Sequence, residues 1–467
     1  MSSDWPEVRV EEIAANDPNA LSTGPFGSSI SSKFFTSSGV PVIRGSNLSA
    51  DVGVKLIDEE IAFVSFDKAK EFRRSVAKRG DLVFTCWGTI NQVGLIHAKS
   101  KYPEYVVSNK QMKLTVDATK VDPKFLYYVF SSPEKQHEIL SNGIGAAVPG
   151  FNLGQLKKHA FRLPPLAVQE SVVRVLDSLD AKIGLNRRIN QTLEAMAQAI
   201  FQSWFVDFDP VKAKIAAKAE GRDPLRAAMS AISGKPDAEL DALPPEQYEQ
   251  LAATAALFPD EMEASELGDI PKGWAFRPLA DITQFASGKT EVSSLTEDLY
   301  ISTENMLENR AGITRANSLP SVAVVPSFKA GQILVSNIRP YFKKLWIARF
   351  NGGRSPDVLA FEPTDYQWAE FAYNLMYQDA FFEFMTRTAK GAKMPRGDKD
   401  AIMGWRFPCP DGLLMIAFSE NVRPNYAHIA SLNSQNRSLS ELRDTLLPKL
   451  LSGELSVEAL AESAGAA

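Results

Sequence analysis

Apolar residues recur at alternating spacings of four and three between Pro165 and Trp204. This is the spacing of the a and d positions of a heptad, and it predicts one long helix that needs a partner for its apolar stripe. At 1.5 Å per residue, about 40 residues would extend roughly 60 Å. Two asparagines in the middle of the seam would lower stability and fix register. The seam comprises Val172, Leu176, Leu179, Ile183, Asn186, Asn190, Leu193, Ala197, Ile200 and Trp204.

A second seam lies near the end of the chain and predicts an amphipathic helix from about Tyr426 to Leu451. Pro448 is expected to kink or restart it, and Ser452-Gly453 to end it. Antiparallel pairing would let the two helices cover each other's stripes and form a rod between two globular parts. The alternative is a helical hairpin inside a larger core. The seam comprises Ile429, Leu432, Asn436, Leu439, Leu446 and Leu450.

Short apolar, β-branched runs lie between Gly, Ser and Asn turns in both halves of the chain, and they predict strands. Two longer apolar stretches predict helices, so each half is expected to be α+β. The strand runs are Val40–Ile43, Leu82–Cys86, Val93–Ile96, Tyr105–Val107, Ile333–Val335 and Leu345–Ala348, and the helical stretches are Pro123–Ser131 and Trp368–Thr386.

Several motifs occur twice. Three of them recur after 246 positions, and a fourth recurs after 251, which a loop insertion would explain. A repeat this long indicates a duplicated domain, since solenoid repeats have 20 to 50 residues. Two copies of one recognition unit suggest a target with two parts. The pairs are Phe125–Tyr127 with Phe371–Tyr373, Gly145–Pro149 with Gly391–Pro395, Phe161–Pro164 with Phe407–Pro410, and Lys78–Val83 with Lys329–Leu334.

The composition is that of an ordinary globular protein, 467 residues long and 45% hydrophobic, which is enough for two or three domains. No run of 18 apolar residues occurs, and Met1–Arg9 lacks a hydrophobic signal segment, so a cytoplasmic location is expected. Cys86 and Cys409 are predicted to be buried free thiols.

The negative charge is concentrated in one segment. Residues 207–270 hold 14 acids and 6 bases, a net −8, which leaves −5 − (−8) = +3 for the rest. This Ala-, Pro- and Glu-rich segment is predicted to be an exposed helical or irregular linker. The alternative is an ordinary solvated surface.

Motifs for catalysis are incomplete. Gly288-Lys289-Thr290 ends like a phosphate loop, but Thr283 stands where the loop needs glycine. Asp357 and Glu362 mimic a nuclease pair without the lysine that would follow. No Asn-Pro-Pro-Tyr or Asp-Pro-Pro-Tyr motif for a flipped adenine occurs. The four histidines form no ligand-spaced cluster with the cysteines, so no metal site is predicted. A self-contained methyltransferase or nuclease would need these motifs.

Five segments, the first at Gly24–Ser29 and the last at Arg443–Leu455, resemble conserved regions of the specificity subunit of type I restriction-modification enzymes, and the resemblance covers essentially the whole chain. Where the first half opens with Gly24-Pro25-Phe26-Gly27, the second has Phe285-Ala286-Ser287-Gly288. The segments are the two openings Gly24–Ser29 and Pro41–Leu48, the central region Leu163–Val211, the entry to the second half Leu257–Trp274, and the distal region Arg443–Leu455.

This resemblance implies a non-catalytic DNA-recognition subunit. The implied fold is α+β, with two duplicated target-recognition domains separated by a long antiparallel two-helix coiled coil that sets the distance between two DNA half-sites. Two adenine methyltransferase (modification) subunits would dock on the helices and carry S-adenosylmethionine, while this chain holds no cofactor; a restriction translocase-endonuclease subunit would complete the assembly. The predicted boundaries are 1–163 and 271–425 for the recognition domains, 164–206 and 426–467 for the helical regions, and 207–270 for the linker.

DNA contacts are predicted at polar side chains in the turns, because Arg pairs with guanine, Asn and Gln pair with adenine, and Lys pairs with phosphate. Trp87 and Trp346 are expected in the core. A coiled-coil scaffold without nucleic acid is the other alternative, but it leaves the polar, duplicated domains unexplained. The predicted DNA-contacting residues are Ser28, Ser29, Lys33, Arg44, Asn91, Gln92, Asn109, Lys110 and Gln111 in the first half, and Asn337, Arg339, Tyr341, Lys343, Lys344, Arg354, Lys393 and Arg396 in the second.

Overall fold

The computed structural model describes residues 5–27, 29–145, 149–266 and 268–460. The chain divides into two compact units. Unit 1 comprises residues 1–187 and 433–467, and unit 2 comprises residues 188–432. Two long helices each begin in one unit and end in the other, so each unit contains an α+β body and one part of both helices.

Unit 1 is built on two sheets, and its first long helix follows directly on the last strand. Its elements, in chain order, are β1 (Glu7–Arg9), α1 (Val10–Ile13), β2 (Leu21–Thr23), β3 (Phe35–Thr36), β4 (Val40–Ile43), β5 (Ala62–Val64), α2 (Phe66–Lys70), β6 (Val76–Lys78), β7 (Leu82–Thr85), β8 (Val93–Leu95), β9 (Glu104–Val107), β10 (Gln111–Leu114), α3 (Pro123–Ser131), α4 (Pro133–Ser141), α5 (Leu153–Lys158), β11 (Ala160–Arg162) and α6 (Leu166–Phe205).

The sheets of unit 1 have the orders β2-β10-β7-β8 and β3-β5-β4-β9-β6, and β1 pairs with β11. Strands β7 and β10 are buried along their whole length; β7 is a nearly continuous apolar run, whereas β10 buries the polar Gln111 and Lys113 beside Met112 and Leu114. Helix α3 begins at Pro123, where Asp122 accepts a hydrogen bond from the Lys124 amide. The parallel pairing of β4 with β9 brings the residues after both strands together.

Unit 2 repeats this plan after an additional helical segment. Its elements are α7 (Asp209–Ala219), α8 (Pro224–Ser233), α9 (Asp237–Leu240), α10 (Pro245–Ala256), β12 (Met262–Ser265), β13 (Gly268–Pro271), β14 (Ala275–Pro278), β15 (Thr283–Phe285), β16 (Lys289–Glu291), β17 (Tyr300–Ile301), β18 (Val324–Phe328), β19 (Ile333–Ser336), β20 (Leu345–Ile347), β21 (Gly352–Arg354), β22 (Val358–Pro363), α11 (Ala369–Tyr377), α12 (Asp379–Thr388), α13 (Lys399–Met403), β23 (Arg406–Cys409) and α14 (Gly412–Ser452).

The predicted duplication is confirmed by the strand order. The sheet β15-β22-β19-β20 repeats β2-β10-β7-β8, and the pair β14-β23 repeats β1-β11. Helices α3 and α11 begin 369 − 123 = 246 residues apart, and α6 and α14 begin 412 − 166 = 246 residues apart. Both units are α+β, as predicted.

The long helices pair antiparallel in each unit. In unit 1, Asn186 donates to Gln435 Oε1 at 2.6 Å and to Asn436 Oδ1 at 2.9 Å, so asparagines of the two predicted seams meet. In unit 2, the Phe201 and Trp204 rings lie 5.5 and 5.9 Å from the Phe418 ring. Within unit 1, Arg443 lies 3.1 Å from Asp180, so residue numbers fall along α14 as they rise along α6 and the pairing is antiparallel.

Helix α14 differs from its predicted form in two ways. It begins at Gly412 rather than near Tyr426, and it continues through Pro448 to Ser452. Pro424 would ordinarily end a helix, because it has no backbone N–H to donate to the carbonyl of Glu420. Pro424 and Glu420 are both exposed. The buried side chains of Leu414, Phe418 and Val422 hold the first turns against the core of unit 2.

The stretch Trp368–Thr386, predicted as one helix, contains two. Gln378, between α11 and α12, has extended backbone angles (φ −63°, ψ 146°). Ser132, the equivalent residue between α3 and α4, has nearly the same angles (φ −67°, ψ 145°). The break is therefore a feature of the repeated domain.

The acidic segment forms helices with a small apolar core of their own, made by Ala228, Met229, Leu240 and Ala255. Arg226 pairs with Asp237 at 2.8 Å and with Asp241 at 2.7 Å. Most of residues 209–256 thus forms helices within unit 2, which is the helical one of the two predicted alternatives.

Both cysteines are free and buried, as predicted, and burial raises the pKa of the Cys86 and Cys409 thiols to about 12 and about 11. None of the described helices is long and apolar enough to cross a membrane.

Candidate nucleic-acid interface

Unit 1 contains a polar cleft of about 640 Å³ where the ends of β4 and β7 meet the start of β10. Five of the predicted DNA-contacting residues line it, brought together by the pairing of β4 with β9 and of β7 with β10. The Ser108 amide, for example, donates to the Ile43 carbonyl at 2.9 Å. The five residues are Arg44, Gln92, Asn109, Lys110 and Gln111.

The floor of the cleft has polar atoms available to a ligand. Gln111 and Thr85 are almost completely buried, and the Gln111 side-chain oxygen accepts from the Ser108 hydroxyl. Gln111 Nε2, Thr85 Oγ1 and Arg44 Nε are buried without a hydrogen-bond partner in the described parts of the chain. Buried polar groups are ordinarily paired, so these three atoms indicate that the cleft takes a polar ligand or ordered water.

Arg44 is held in place by its own loop. Its backbone amide donates to Asn47 Oδ1 at 2.9 Å, and Asn47 Nδ2 donates to the Ile57 carbonyl at 2.9 Å. The Arg44 guanidinium carbon lies 5.5 Å from the centre of the Phe35 ring. A positioned guanidinium at the mouth of a polar cleft is suited to the acceptor edge of guanine.

Trp87 was expected in the core, but it is 52% exposed and lines the cleft. The ring lies against the backbone of Gly150, where an added Cβ would come within 2.6 Å of ring atom Cζ3. The exposure of Trp87 could not be predicted from the apolar run Leu82–Cys86 that precedes it. Strand β7 ends at Thr85, so Trp87 lies beyond the strand. Trp346 is half-buried against Phe328 and Phe350, as expected.

The remaining predicted residues of the first half lie around the opening loop and the β7–β8 turn. Asn109 Nδ2 donates to the Gly27 carbonyl at 2.9 Å and so ties this loop to the cleft. Ser29 donates to the Phe26 carbonyl at 2.9 Å, and Lys33 is exposed. Asn91 is half-buried beside Gln92. Ser28 lies outside the described residues.

In unit 2, two predicted loops meet. Ile338 and Arg396 form a β-bridge, and the Arg339 amide donates to the Pro395 carbonyl at 2.8 Å. This brings the loop after β19 next to the repeated Gly-x-x-x-Pro loop. Arg339, Tyr341, Lys393 and Arg396 are exposed here.

Arg339 has a strained backbone with φ +50°, at the position where the first copy has Gly88 with φ +95°. A non-glycine residue pays a conformational cost there, and such residues concentrate at functional sites. The Arg339 and Lys393 side chains make no hydrogen bond or ion pair with any described residue. Among the predicted residues of this surface, Arg339 and Lys393 are the cations without an intramolecular partner in the described part of the chain.

Other predicted residues of unit 2 already have intramolecular partners. Lys343 lies 2.7 Å from Asp379 Oδ1, and its side-chain hydrogen bond is the largest cause of the lowered pKa of that carboxyl. Lys344 Nζ donates to the Thr303 carbonyl at 2.8 Å. Arg396 lies 3.1 Å from Asp357 Oδ1. Asn337 is buried, with its Oδ1 unpaired among the described residues.

Arg354 does not reach this surface, contrary to expectation. It is buried on β21, and its guanidinium donates to the carbonyls of Ser327 at 3.3 Å, Val358 at 2.5 Å and Ala286 at 3.1 Å. Burial lowers its pKa. Arg354 therefore holds the strands of unit 2 together.

The two copies place different chemistry on equivalent backbone. Cys86 N donates to the Lys110 carbonyl at 2.7 Å, and Asn337 N donates to the Asp357 carbonyl at 2.8 Å, so Lys110 corresponds to Asp357. By the same hydrogen bonds and strand pairs, Arg44 corresponds to Ser302, Thr85 to Ser336, Gly88 to Arg339 and Gln111 to Val358.

One equivalence could have been found in the sequence. Asn305 accepts from the Ser302 amide at 2.6 Å and donates to the Thr314 carbonyl at 2.8 Å, just as Asn47 holds the Arg44 loop. Ile43–Leu48 and Ile301–Met306 share the pattern Ile-x-x-x-Asn followed by a large apolar residue.

Comparison with known proteins shows which family this sequence is similar to. Residues 22–195 match the family model "Type I restriction modification DNA specificity domain". The type I restriction enzyme HindI specificity subunit of Haemophilus influenzae is 27% identical, over 97% of this chain and 100% of that protein. The chain is therefore similar to type I specificity subunits along nearly its whole length. The specificity subunit of the MjaIX enzyme of Methanocaldococcus jannaschii is 22% identical over 84% of this chain and 81% of its own length. The S subunit from M. genitalium aligns over 96% of both chains, with 14% identity and a TM-score of 0.47.

These similarities agree with the resemblance to type I specificity subunits noted in the sequence. No group of three or more His, Cys, Asp or Glu side chains that could hold a metal ion is found among residues 5–27, 29–145, 149–266 and 268–460.

Proposed function

We propose that this specificity subunit reads a split, asymmetric DNA target, with one half-site contacted by each unit. The observation that carries the proposal is the pair of equivalent loop systems with different side chains. Unit 1 offers Arg44, Lys110 and Gln111, while unit 2 offers Ser302, Asp357 and Val358 at the same positions. Identical domains would favour identical half-sites, whereas these two favour different ones.

The contacts divide by chemistry. In this proposal, Arg44 contacts a base edge and the buried Gln111 amide forms the floor of the cleft behind it. Lys33, Lys110, Arg339 and Lys393 are exposed cations suited to phosphate. Trp87 extends the cleft with an apolar face for a base or a thymine methyl group.

The long helices are the proposed docking surface for two modification subunits, which would supply S-adenosylmethionine and methylate adenine, and a restriction subunit would join them. Large apolar side chains remain exposed on these helices although the helices pair. Leu185 is 43% exposed and Met196 is 50% exposed on α6.

The same helices are proposed to set the gap between the half-sites. Both run without interruption for 40 and 41 residues. Their number of residues would then determine the number of base pairs between the half-sites, because B-DNA advances about 3.4 Å per base pair.

The purified chain alone is expected to bind DNA weakly, because its net charge is −5 and several cations of unit 2 are paired with carboxylates. The measurement is a titration of labelled duplex at physiological salt, with and without the modification subunits. Affinity and sequence preference should rise sharply when the partners are added. Nanomolar, sequence-specific binding by the chain alone would contradict this expectation.

A further inference from the structure

In each unit the α+β body rests on a long helix through one short helix, and the polar contacts at these two junctions have opposite polarity. We use "seat 1" for Asp177 and Asp180 of α6, which contact α3 in unit 1. We use "seat 2" for Arg423 and Tyr426 of α14, which contact α11 in unit 2. The two seats are related by the repeat, since 423 − 177 = 246 and 426 − 180 = 246.

Seat 1 is acidic and accepts hydrogen bonds. Lys124 Nζ forms an ion pair with Asp177. The Tyr128 hydroxyl lies 2.7 Å from Asp180 Oδ2 and 2.9 Å from Asp177 Oδ1. Lys55, from a loop of the same body, lies 3.1 Å from both carboxylates. At seat 1, α3 and Lys55 therefore present donors and cations, and α6 presents acceptors. Asp180 also lies 3.1 Å from Arg443 of α14, which belongs to the helix pair and not to the body.

Seat 2 has the reverse arrangement. Arg423 Nη2 and Nε both lie 3.3 Å from Glu370 Oε2. The Tyr426 hydroxyl donates to Asn374 Oδ1 at 2.9 Å. Glu370 and Asn374 of α11 are the repeat equivalents of Lys124 and Tyr128 of α3, since 370 − 124 = 246 and 374 − 128 = 246. At seat 2, α11 therefore presents acceptors and α14 presents donors. Towards α6 the direction differs, because the Tyr373 hydroxyl of α11 donates to Glu194 at 3.0 Å.

The apolar contacts at the two junctions do not differ in kind. Phe125 and Phe371 occupy equivalent buried positions on the bodies, and Leu176 and Val422 occupy equivalent buried positions on the helices. Apolar packing tolerates exchanges of similar volume, so it would discriminate poorly between the two bodies.

We infer that the reversed polarity makes each seat accept only its own recognition domain. On seat 2, the domain of unit 1 would place Lys124 against Arg423. On seat 1, the domain of unit 2 would place the buried Glu370 against Asp177, the partner of Lys124. Like charges brought together at a buried junction are strongly unfavourable, and they would select against the wrong pairing during folding.

This arrangement would fix which recognition domain stands first along the helices. A duplicated domain carries an inherent risk of mispairing, because both copies have the same shape at the junction. Exchange of a recognition domain between the two positions should therefore require exchange of its seat as well.

The test uses full-length chains with and without a converted seat. In the chimera, residues 275–409 are replaced by a copy of residues 7–163, so that both positions carry the first domain. The conversion is Arg423→Asp with Tyr426→Asp, which gives seat 2 the residues of seat 1. The same two substitutions in the natural chain are the matched control.

The conversion is expected to raise the thermal midpoint of the chimera by about 5 °C or more, and to lower that of the natural chain by a similar amount. Thermal-midpoint changes of opposite sign for identical substitutions would show that the polarity of the seat must match that of the domain. A change in helix propensity or packing alone would move both midpoints in the same direction, and that result would overturn the inference.

A second measurement decides the matter if neither chimera folds. In the natural chain, Glu370→Lys is expected to lower the thermal midpoint. Adding Arg423→Asp should recover at least half of this loss, whereas adding Arg423→Lys, which keeps the like charge, should recover none. Equal effects of the two second substitutions would overturn the inference.

Discussion

Replacing Arg44 with alanine is expected to weaken binding of the assembled methyltransferase to its DNA target by about 5- to 150-fold, the range of one bidentate contact of about 1–3 kcal/mol. The loss should be confined to one base pair of one half-site, because Arg44 lies in the cleft of unit 1. Arg44→Lys should recover little of the lost discrimination, since an ammonium lacks the planar fork of a guanidinium.

The measurement is a titration of the complex against a set of duplexes with single base-pair changes. Lys235→Ala is the matched control, because it removes an exposed positive charge from the helical body of unit 2 and leaves the cleft unchanged. The assignment of Arg44 to base recognition fails if both half-sites relax equally, or if Arg44→Ala and Lys235→Ala behave alike.

Inserting one heptad near Gly184 and a compensating heptad into the Leu432–Leu446 region of α14 is expected to widen the gap between the half-sites by about three base pairs. Seven residues add about 10 Å of helix, and B-DNA advances about 3.4 Å per base pair. Both half-site sequences should stay the same, because the loops that contact them are untouched. Three base pairs also rotate the duplex by roughly a third of a turn, so some loss of activity is expected.

Sequencing of methylated sites in cells that carry the insertion variant and its modification partner measures the gap directly. A heptad in α6 alone is the control, because it should break the register fixed by Asn186 with Gln435 and Asn436. An unchanged gap, or a change in either half-site, would mean that the helices do not set the spacing.

The long helices could be predicted from the sequence because their apolar positions repeat over many turns. The seam from Val172 to Trp204 predicts nearly the whole of α6. The start of α14 was missed because Pro424 normally ends a helix. The repeat itself carried the missing information, since Leu166 plus 246 is Gly412, where α14 begins.

The site was harder to predict because strand pairing over long sequence separations assembles it. Arg44 and Gln111 meet only because β4 lies parallel to β9, which no local spacing reveals. The burial of Trp87 and Arg354 was also predicted wrongly, with opposite errors. A tryptophan beside an apolar strand proved to be exposed, and an arginine in a Gly-rich turn proved to be buried among three carbonyls.

The central claim is that two recognition domains with different side chains on the same backbone read two different half-sites. Sequencing of methylated adenines in cells that express this chain with its modification partner tests it most directly. The account predicts one motif of two short, dissimilar half-sites separated by a fixed number of unspecified base pairs. A continuous motif, or two identical half-sites, would contradict it.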